Sequence, residues 1–246
     1  MLLSAEGVSK SFGAVAAVTG ATFNIEAGEL VALIGPNGAG KSTLFNLISG
    51  ILKPDAGTIA FDGERISSLP PHRIAHRGIG LAFQVSNVFS RLSVLENIQV
   101  ALFSARGKSG SIWSFGPRTL REEAREILAA IGLLEVAGLS AGALAQADKK
   151  RLEVGIALAV RPRLLLLDEP TSGQSMEETD STMELIRRIN QEQALTVLFI
   201  EHKMDVVFGI ARRVLVLHNG RLIADGEPRT VRANEQVQRA YLGETG

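Results

Sequence analysis

The run Leu30-Val31-Ala32-Leu33-Ile34, followed at once by Gly35-Pro36-Asn37-Gly38-Ala39-Gly40-Lys41-Ser42-Thr43, restricts this chain more than any other feature. An unbroken apolar run suits a strand buried on both faces, as in a parallel sheet. The segment after it fits G-x-x-x-x-G-K-[ST], and a helix is expected from about Ser42 to Ser49. Strand, glycine loop and helix in that order define an α/β fold with a phosphate-binding turn. The glycines let the backbone turn tightly and approach phosphate oxygens with no Cβ in the way. The N–H groups and dipole of the helix start favour an anion. Lys41 is expected to reach the β- and γ-phosphates of a nucleotide, and the Ser42 hydroxyl to ligate Mg²⁺. The loop alone does not choose between ATP and GTP.

Two later strands end in chemistry. Leu164-Leu165-Leu166-Leu167 runs into Asp168-Glu169, and Thr196 to Ile200 runs into Glu201-His202. The carboxyl ends of parallel strands are where α/β sheets place ligands. Asp168 is expected to hold Mg²⁺, directly or through water. Glu169 is expected to polarise an attacking water, work worth ~10²–10⁴-fold. His202 is placed to reach a γ-phosphate. Alone, the carboxylates read better as a solvated acidic turn and the histidine more often as a surface residue; the phosphate loop favours the active-site reading.

The rest of the pattern fits this frame. Residues 2 to 34 read as strands and turns, Thr58 to Phe61 as a strand before the Asp62-Gly63 turn, and Ile79 to Phe83 as a strand reaching Gln84. Pro71 opens a short helix over 71 to 77. Residues 88 to 160 are mainly helical, interrupted by a Gly/Ser-rich loop from Gly107 to Pro117. Leu120 to Ile131 is amphipathic, with Glu122, Glu123, Arg125 and Glu126 on the wet side. Residues 177 to 190 form a helix between two strands, Asn219-Gly220 turns a hairpin, and residues 229 to 242 form one closing helix.

The 246 residues carry 26 basic and 26 acidic side chains and no cysteine. A balanced charge gives no sign of a nucleic-acid partner. The lack of cysteine fits a cytosolic protein. No signal peptide and no run long enough to cross a bilayer is read, so work at a membrane requires docking on other subunits.

Gly35 to Thr43, Gln84, Leu167-Asp168-Glu169-Pro170 and His202 occur in the order of ABC-transporter ATPase subunits, which the chain resembles along nearly its whole length. The resemblance implies ATP as the nucleotide and Mg²⁺ as its metal. It implies that Phe12 stacks on adenine and that Gln84 is a catalytic and metal-linked residue coupled to transmembrane subunits. It implies one domain over 2–242. Within it, 1–86 would hold an antiparallel β subdomain and the phosphate-loop part of a mostly parallel core, and 87–160 a helical subdomain. Residues 161–228 would complete the core, and 229–246 would be the closing helix and tail.

A narrower resemblance rests on Leu44 to Gly50, Ser93 to Ile98, Glu201 to Val207 and Ala240 to Gly243. These are similar to ATPases of branched-chain amino acid importers, a subgroup that also handles urea, amides and aromatic acids. The resemblance implies a second, different ATPase subunit, two transmembrane permease subunits, an extracytoplasmic solute-binding protein, and a place on the cytoplasmic face of the membrane.

Two segments depart from the family: Thr171-Ser172-Gly173-Gln174-Ser175, after Glu169, lacks the usual Leu-Asp ending, and the signature position differs in chemistry. Family members present L-S-G-G-Q, or close to it, to the nucleotide of the partner subunit. Here the position reads Leu144-Ala145-Gln146-Ala147-Asp148. Ala145 lacks the hydroxyl that would donate to a γ-phosphate, a loss of roughly 1.5–3 kcal/mol. Ala147 stands where glycine would allow close approach, and Asp148 adds negative charge near the phosphate. A heterodimer with one working composite site, built on this chain's Lys41 and Glu169, is therefore expected. The competing readings are a regulatory ATP-binding subunit and a soluble ABC ATPase outside transport. Three smaller signals stand apart: His72 and His76 at metal-ligand spacing, Trp113 and Phe115 in the Gly/Ser loop, and Val88, Phe89 and Leu92 where the family receives its permease.

Overall fold

A computed structural model describes residues 1–82, 88–106 and 117–242, without the side chains of 117–119 and 242. Gln84, Trp113 and Phe115 lie outside these residues.

The chain opens with an antiparallel hairpin, β1 (Leu3–Phe12) and β2 (Val15–Ile25). β3 (Leu30–Ile34) follows and leads through the glycine loop into α1 (Lys41–Ile48). β4 (Ala56–Phe61) and β5 (Glu64–Arg65) return to the hairpin and give an antiparallel sheet in the order β2-β1-β4-β5. α2 (Pro71–His76), opened by its proline as expected, leads to β6 (Ile79–Ala82). The helices α3 (Val94–Ala105), α4 (Pro117–Ala130) and α5 (Gln146–Leu158) come next. The chain then alternates through β7 (Leu164–Asp168), α6 (Met176–Gln193), β8 (Thr196–Ile200) and α7 (Met204–Ile210). A hairpin of β9 (Arg213–His218) and β10 (Arg221–Gly226) precedes α8 (Pro228–Ala233) and α9 (Glu235–Leu242).

The second sheet has the order β10-β9-β3-β8-β7-β6 and is parallel from β9 to β6. Its strands read as continuous apolar runs because both faces are covered. Leu30, Ala32, Ile34, Leu165, Leu167, Val197 and Phe199 point into one core with α3 to α6. Val31, Leu33, Leu164, Leu166, Leu198 and Ile200 point into the other, which the β1–β2–β4 sheet and α1 close. Alternation thus assigns successive residues to two cores rather than to core and solvent.

Local chemistry sets the element ends. Ser93 with Glu96, and Ser175 with Glu178, form reciprocal capping boxes at the starts of α3 and α6. Asn219 and Gly220 both have positive φ, as the two-residue hairpin between β9 and β10 requires.

Two expectations need correction. The closing segment is two helices, not one: the Asn234 carboxamide accepts from the N–H groups of Gln236 and Val237 and starts α9 afresh. On α4, Glu123 is not on the wet side. It is half-buried and paired with Arg106 on α3, so this acid joins two helices.

Phe199 is fully buried on a central strand. Phe199→Ala should destabilise the chain by about 3–5 kcal/mol, read from the midpoint of denaturant unfolding.

Candidate active site

The carboxyl ends of β3, β7 and β8 lie side by side, because β8 pairs in parallel with both of the others. The glycine loop, the acidic pair and the histidine therefore emerge at one edge of one sheet. The antiparallel hairpin is held against this edge. Thr19 N–H donates to Gly220 O at 2.7 Å, and Gly220 N–H to Ala39 O at 3.0 Å. Phe12, paired with Val15 at the turn end of that hairpin, is 49 % exposed, with the Lys10 ammonium 5.8 Å from its ring. An exposed aromatic ring beside the loop can stack on a flat heterocycle.

The loop glycines have different reasons. A Cβ on Gly35 would fall 2.0 Å from Leu217 O, and one on Gly40 2.1 Å from Ala17 O. Both also have positive φ. These two are fixed by packing on the neighbouring strands rather than by room for phosphate. A Cβ on Gly38 would meet nothing within 4 Å, so Gly38 is the one whose surroundings are open. Asn37 and Gly38 are exposed, Pro36 and Ala39 are buried, and Gly40 is intermediate and precedes α1. Lys41 is only 6 % exposed, and its ammonium donates to Gly35 O at 2.6 Å and Pro36 O at 2.8 Å. Ser42 is exposed on the first turn of α1, and Thr43 is half-buried beside it.

Asp168 ends β7 and is half-buried, and its Oδ1 is enclosed without a hydrogen-bond partner. Burial pushes its carboxyl above the ordinary aspartate range, and the neighbouring Glu169 charge adds to this; His202, Lys150 and Lys41 pull the other way. An enclosed carboxylate oxygen with no donor fits a cation site. Glu169 has φ 50°, a left-handed conformation that is strained for a residue with a Cβ. Its Oε1 lies 2.8 Å from His202 Nε2. The structure thus brings together Lys41, Asp168, Glu169 and His202. His72 and His76 on α2 stand apart, and the described residues hold no group of three or more metal-ligating side chains.

Sequence reasoning gave no role to three residues here, Glu201, Lys150 and Glu153. Glu201 is buried and accepts from the Thr171 N–H and hydroxyl and from the His202 N–H. Lys150 and Glu153, both buried on α5, form an ion pair at 3.4 Å and line a small cavity with Asp168 and Leu167. For Lys150 and Glu153 the signal was present, since charged side chains are rarely buried without partners and these sit on a helix with an apolar face. The segment Leu144 to Asp148 starts α5. Ala145 occupies the N-cap with no side-chain bond and is exposed, as is Gln146, and Asp148 lies in the first turn. The Ala147 methyl is buried within the chain.

This frame is that of a phosphate-loop nucleotide-binding domain. Residues 18–172 match the ABC transporter family, and residues 221–246 match the family described as branched-chain amino acid ATP-binding cassette transporter. The chain is 38 % identical to the high-affinity branched-chain amino acid transport ATP-binding protein BraF of Pseudomonas aeruginosa, over 99 % of this chain and 98 % of that one. The ADP conformation of MJ1267, an ATP-binding cassette of an ABC transporter, superposes with TM-score 0.88 at 30 % identity over 98 % of each chain. The dimeric post-hydrolysis state of the cassette MJ0796, bound to ADP and phosphate, gives TM-score 0.80 at 26 % identity, covering 93 % and 99 %. The chain belongs to the ABC transporter family, as one of its ATPase cassettes.

The raised Asp168 carboxyl has a consequence for stability. The folded chain holds this proton more tightly than the unfolded chain, so stability falls as pH rises from the ordinary aspartate range through the raised one. Asp168→Asn should therefore raise the melting temperature of the nucleotide-free protein at pH 7. The gain should shrink towards zero below the ordinary aspartate range, where both states are protonated.

Proposed function

We propose that the chain is the ATP-hydrolysing subunit of an importer for branched-chain amino acids or related small solutes. The observation that carries the hydrolytic part is the 2.8 Å contact between Glu169 and His202 at a strand end beside the Lys41 loop. The match over 221–246 and the likeness to BraF support the solute class.

In this reading the Lys41 ammonium exchanges the carbonyls of Gly35 and Pro36 for the β- and γ-phosphate oxygens of ATP. Phe12 stacks on the adenine. Asn37 to Thr43 present the loop and helix N–H groups to the phosphates. Ser42 and Asp168, with Gln84, would hold Mg²⁺, and the partnerless Oδ1 of Asp168 fits that use. Bound there, the ion supplies charge neutralisation at the phosphates. Glu169 accepts a hydrogen bond from the attacking water and so orients and polarises it. His202 holds Glu169 in place and faces the γ-phosphate. Both act where the reaction develops charge, which is the position in which fixed groups contribute most.

The partners follow from the same reading. A second, different ATPase subunit faces this chain, so that its signature completes the site on Lys41 and Glu169, while Ala145 leaves the other site a donor short. Two permease subunits dock on the membrane-facing side, and a solute-binding protein delivers cargo outside. An apolar groove of about 390 Å³ between α2, β6, α3 and α5, lined by Ile51, Pro71, Ala101 and Ile156, suits the permease contact, as do the exposed Phe89 and Phe103. Among the described residues no helix is long and apolar enough to cross a membrane, in keeping with docking on the cytoplasmic face. The altered signature favours one rival, a regulatory subunit that holds ATP with weak turnover.

Phosphate release separates these. Glu169→Gln should keep ATP binding and lower turnover by roughly 10²–10⁴-fold in the assembled ATPase pair. Retained turnover would instead assign hydrolysis to the partner's site and support the regulatory reading. Ala145→Ser should raise turnover at the partner-based site by about 10-fold, at 1.4 kcal/mol per tenfold; no change would show that the segment does not reach nucleotide.

A further inference from the structure

We propose that Glu201 is a positioning residue for the Glu169–His202 pair, acting as a buried latch between the ends of β7 and β8. The inference rests on the hydrolytic reading above and adds a residue to it.

Glu201 is 4 % exposed. A carboxylate this buried must be met by donors or another charge. Its donors come from both functional segments. Oε1 accepts from the Thr171 N–H at 3.0 Å and from the Thr171 hydroxyl at 2.6 Å. Oε2 accepts from the His202 N–H at 3.2 Å. One oxygen therefore holds the turn after Glu169, and the other holds the backbone of His202.

The turn needs such a hold. Glu169 is in the left-handed region, a conformation that persists only where its surroundings impose it. On one side it is tied to β8 by its own N–H, which donates to Ile200 O at 3.1 Å. On the other side, past Pro170, the tie is Glu201 to Thr171. Thr171 is itself fully buried, so its hydroxyl has no exchange with water to fall back on. Segment 169–171 thus hangs from the end of β8 at two points, one main-chain and one side-chain. His202 leaves the same strand end one residue later. The 2.8 Å contact between Glu169 and His202 joins a side chain from the turn that this carboxylate holds at Thr171 to one whose own backbone N–H it accepts.

A glutamine cannot replace this carboxylate. Two acceptor oxygens face three donors, and an amide would turn an NH₂ group towards either the Thr171 or the His202 donors. The latch therefore predicts a functional difference between acid and amide at constant size.

The test uses the full-length chain with Glu201→Gln, Thr171→Val and Thr171→Ser. ATP turnover in the assembled ATPase pair and equilibrium binding of a fluorescent ATP analogue are measured separately. The tautomer and shift of the His202 ring are followed by nitrogen-15 NMR, with His202→Gln for assignment. Glu201→Gln should lower kcat by roughly 10-fold or more while nucleotide affinity stays within about 3-fold, because only the geometry at Glu169 is disturbed. The His202 ring signals should move. Thr171→Val should shift both readouts in the same direction by less, and Thr171→Ser should restore wild-type behaviour. Unchanged ring signals and kcat in folded Glu201→Gln and Thr171→Val would overturn the proposal. So would a fall of kcat, affinity and melting temperature together with no rescue by serine, which is the signature of a structural residue. If the wild-type chain in the assembled ATPase pair binds ATP without turnover, the hydrolytic reading fails, yet the ring signals still decide the latch: movement supports it and constancy refutes it. Should Glu201→Gln not fold, Thr171→Val carries the same comparison.

Discussion

Two approaches of backbone to backbone hold the site in being. Gly35 lies against the carbonyl of Leu217 on β9, and Gly40 against the carbonyl of Ala17 on β2, at separations that exclude any Cβ. The first contact seats the loop on the parallel sheet, and the second clamps the antiparallel hairpin over it. Phe12 on that hairpin and Lys41 on the loop thereby share one edge of the molecule. A side chain at either glycine would push the hairpin and the sheet apart, and with them the aromatic ring and the phosphate-binding lysine. The fold's layers and the site's geometry are thus one constraint, since the same carbonyls that close the core also set the loop.

Charge is arranged against this frame. Asp168 and Glu169 are adjacent carboxylates at a partly buried edge, and burial first, then the Glu169 charge, disfavours the ionised form of Asp168. His202, Lys150 and Lys41 offset part of that cost, and the Asp168 carboxyl still stays raised. A nucleotide-free site in this electrostatic state favours a cation over a further anion at Asp168, while the helix start beside it favours phosphate. The two preferences sit next to each other, which is the arrangement a metal-bound phosphate ester requires.

Much of this was legible in the chain. The Leu30 to Ile34 and Leu164 to Leu167 runs announced strands covered on both faces, and the polar groups at their ends could only lie at one sheet edge. Lys41, Asp168, Glu169 and His202 followed from that topology. Other features were not legible, for physical reasons. The uses of Gly35 and Gly40 depend on carbonyls some 180 and 20 residues away, respectively, which no local pattern encodes. Glu201 looked like the residue before a histidine, because its donors come from a turn after a different strand. Glu123 read as solvent-facing because periodicity cannot see that Arg106 waits on the facing helix. The break at Asn234 rests on its side chain capping α9, a preference of asparagine that competes locally with continuing one helix.

The helix that begins with Ala145 links these two kinds of feature. At its exposed start Ala145 supplies no hydroxyl, so the bare helix terminus is what α5 presents outward. One turn further on, Lys150 and Glu153 are buried against the cavity that Asp168 lines. Arg151 ties the same helix to α6 through the Ser181 hydroxyl at 2.7 Å. A change of charge at Asp168 therefore acts on a pair fixed in the same rigid element that carries the outward-facing terminus. The exposed start of α5 and the Lys150–Glu153 pair beside Asp168 are therefore carried by one helix, with a fixed rise of about 1.5 Å per residue between them.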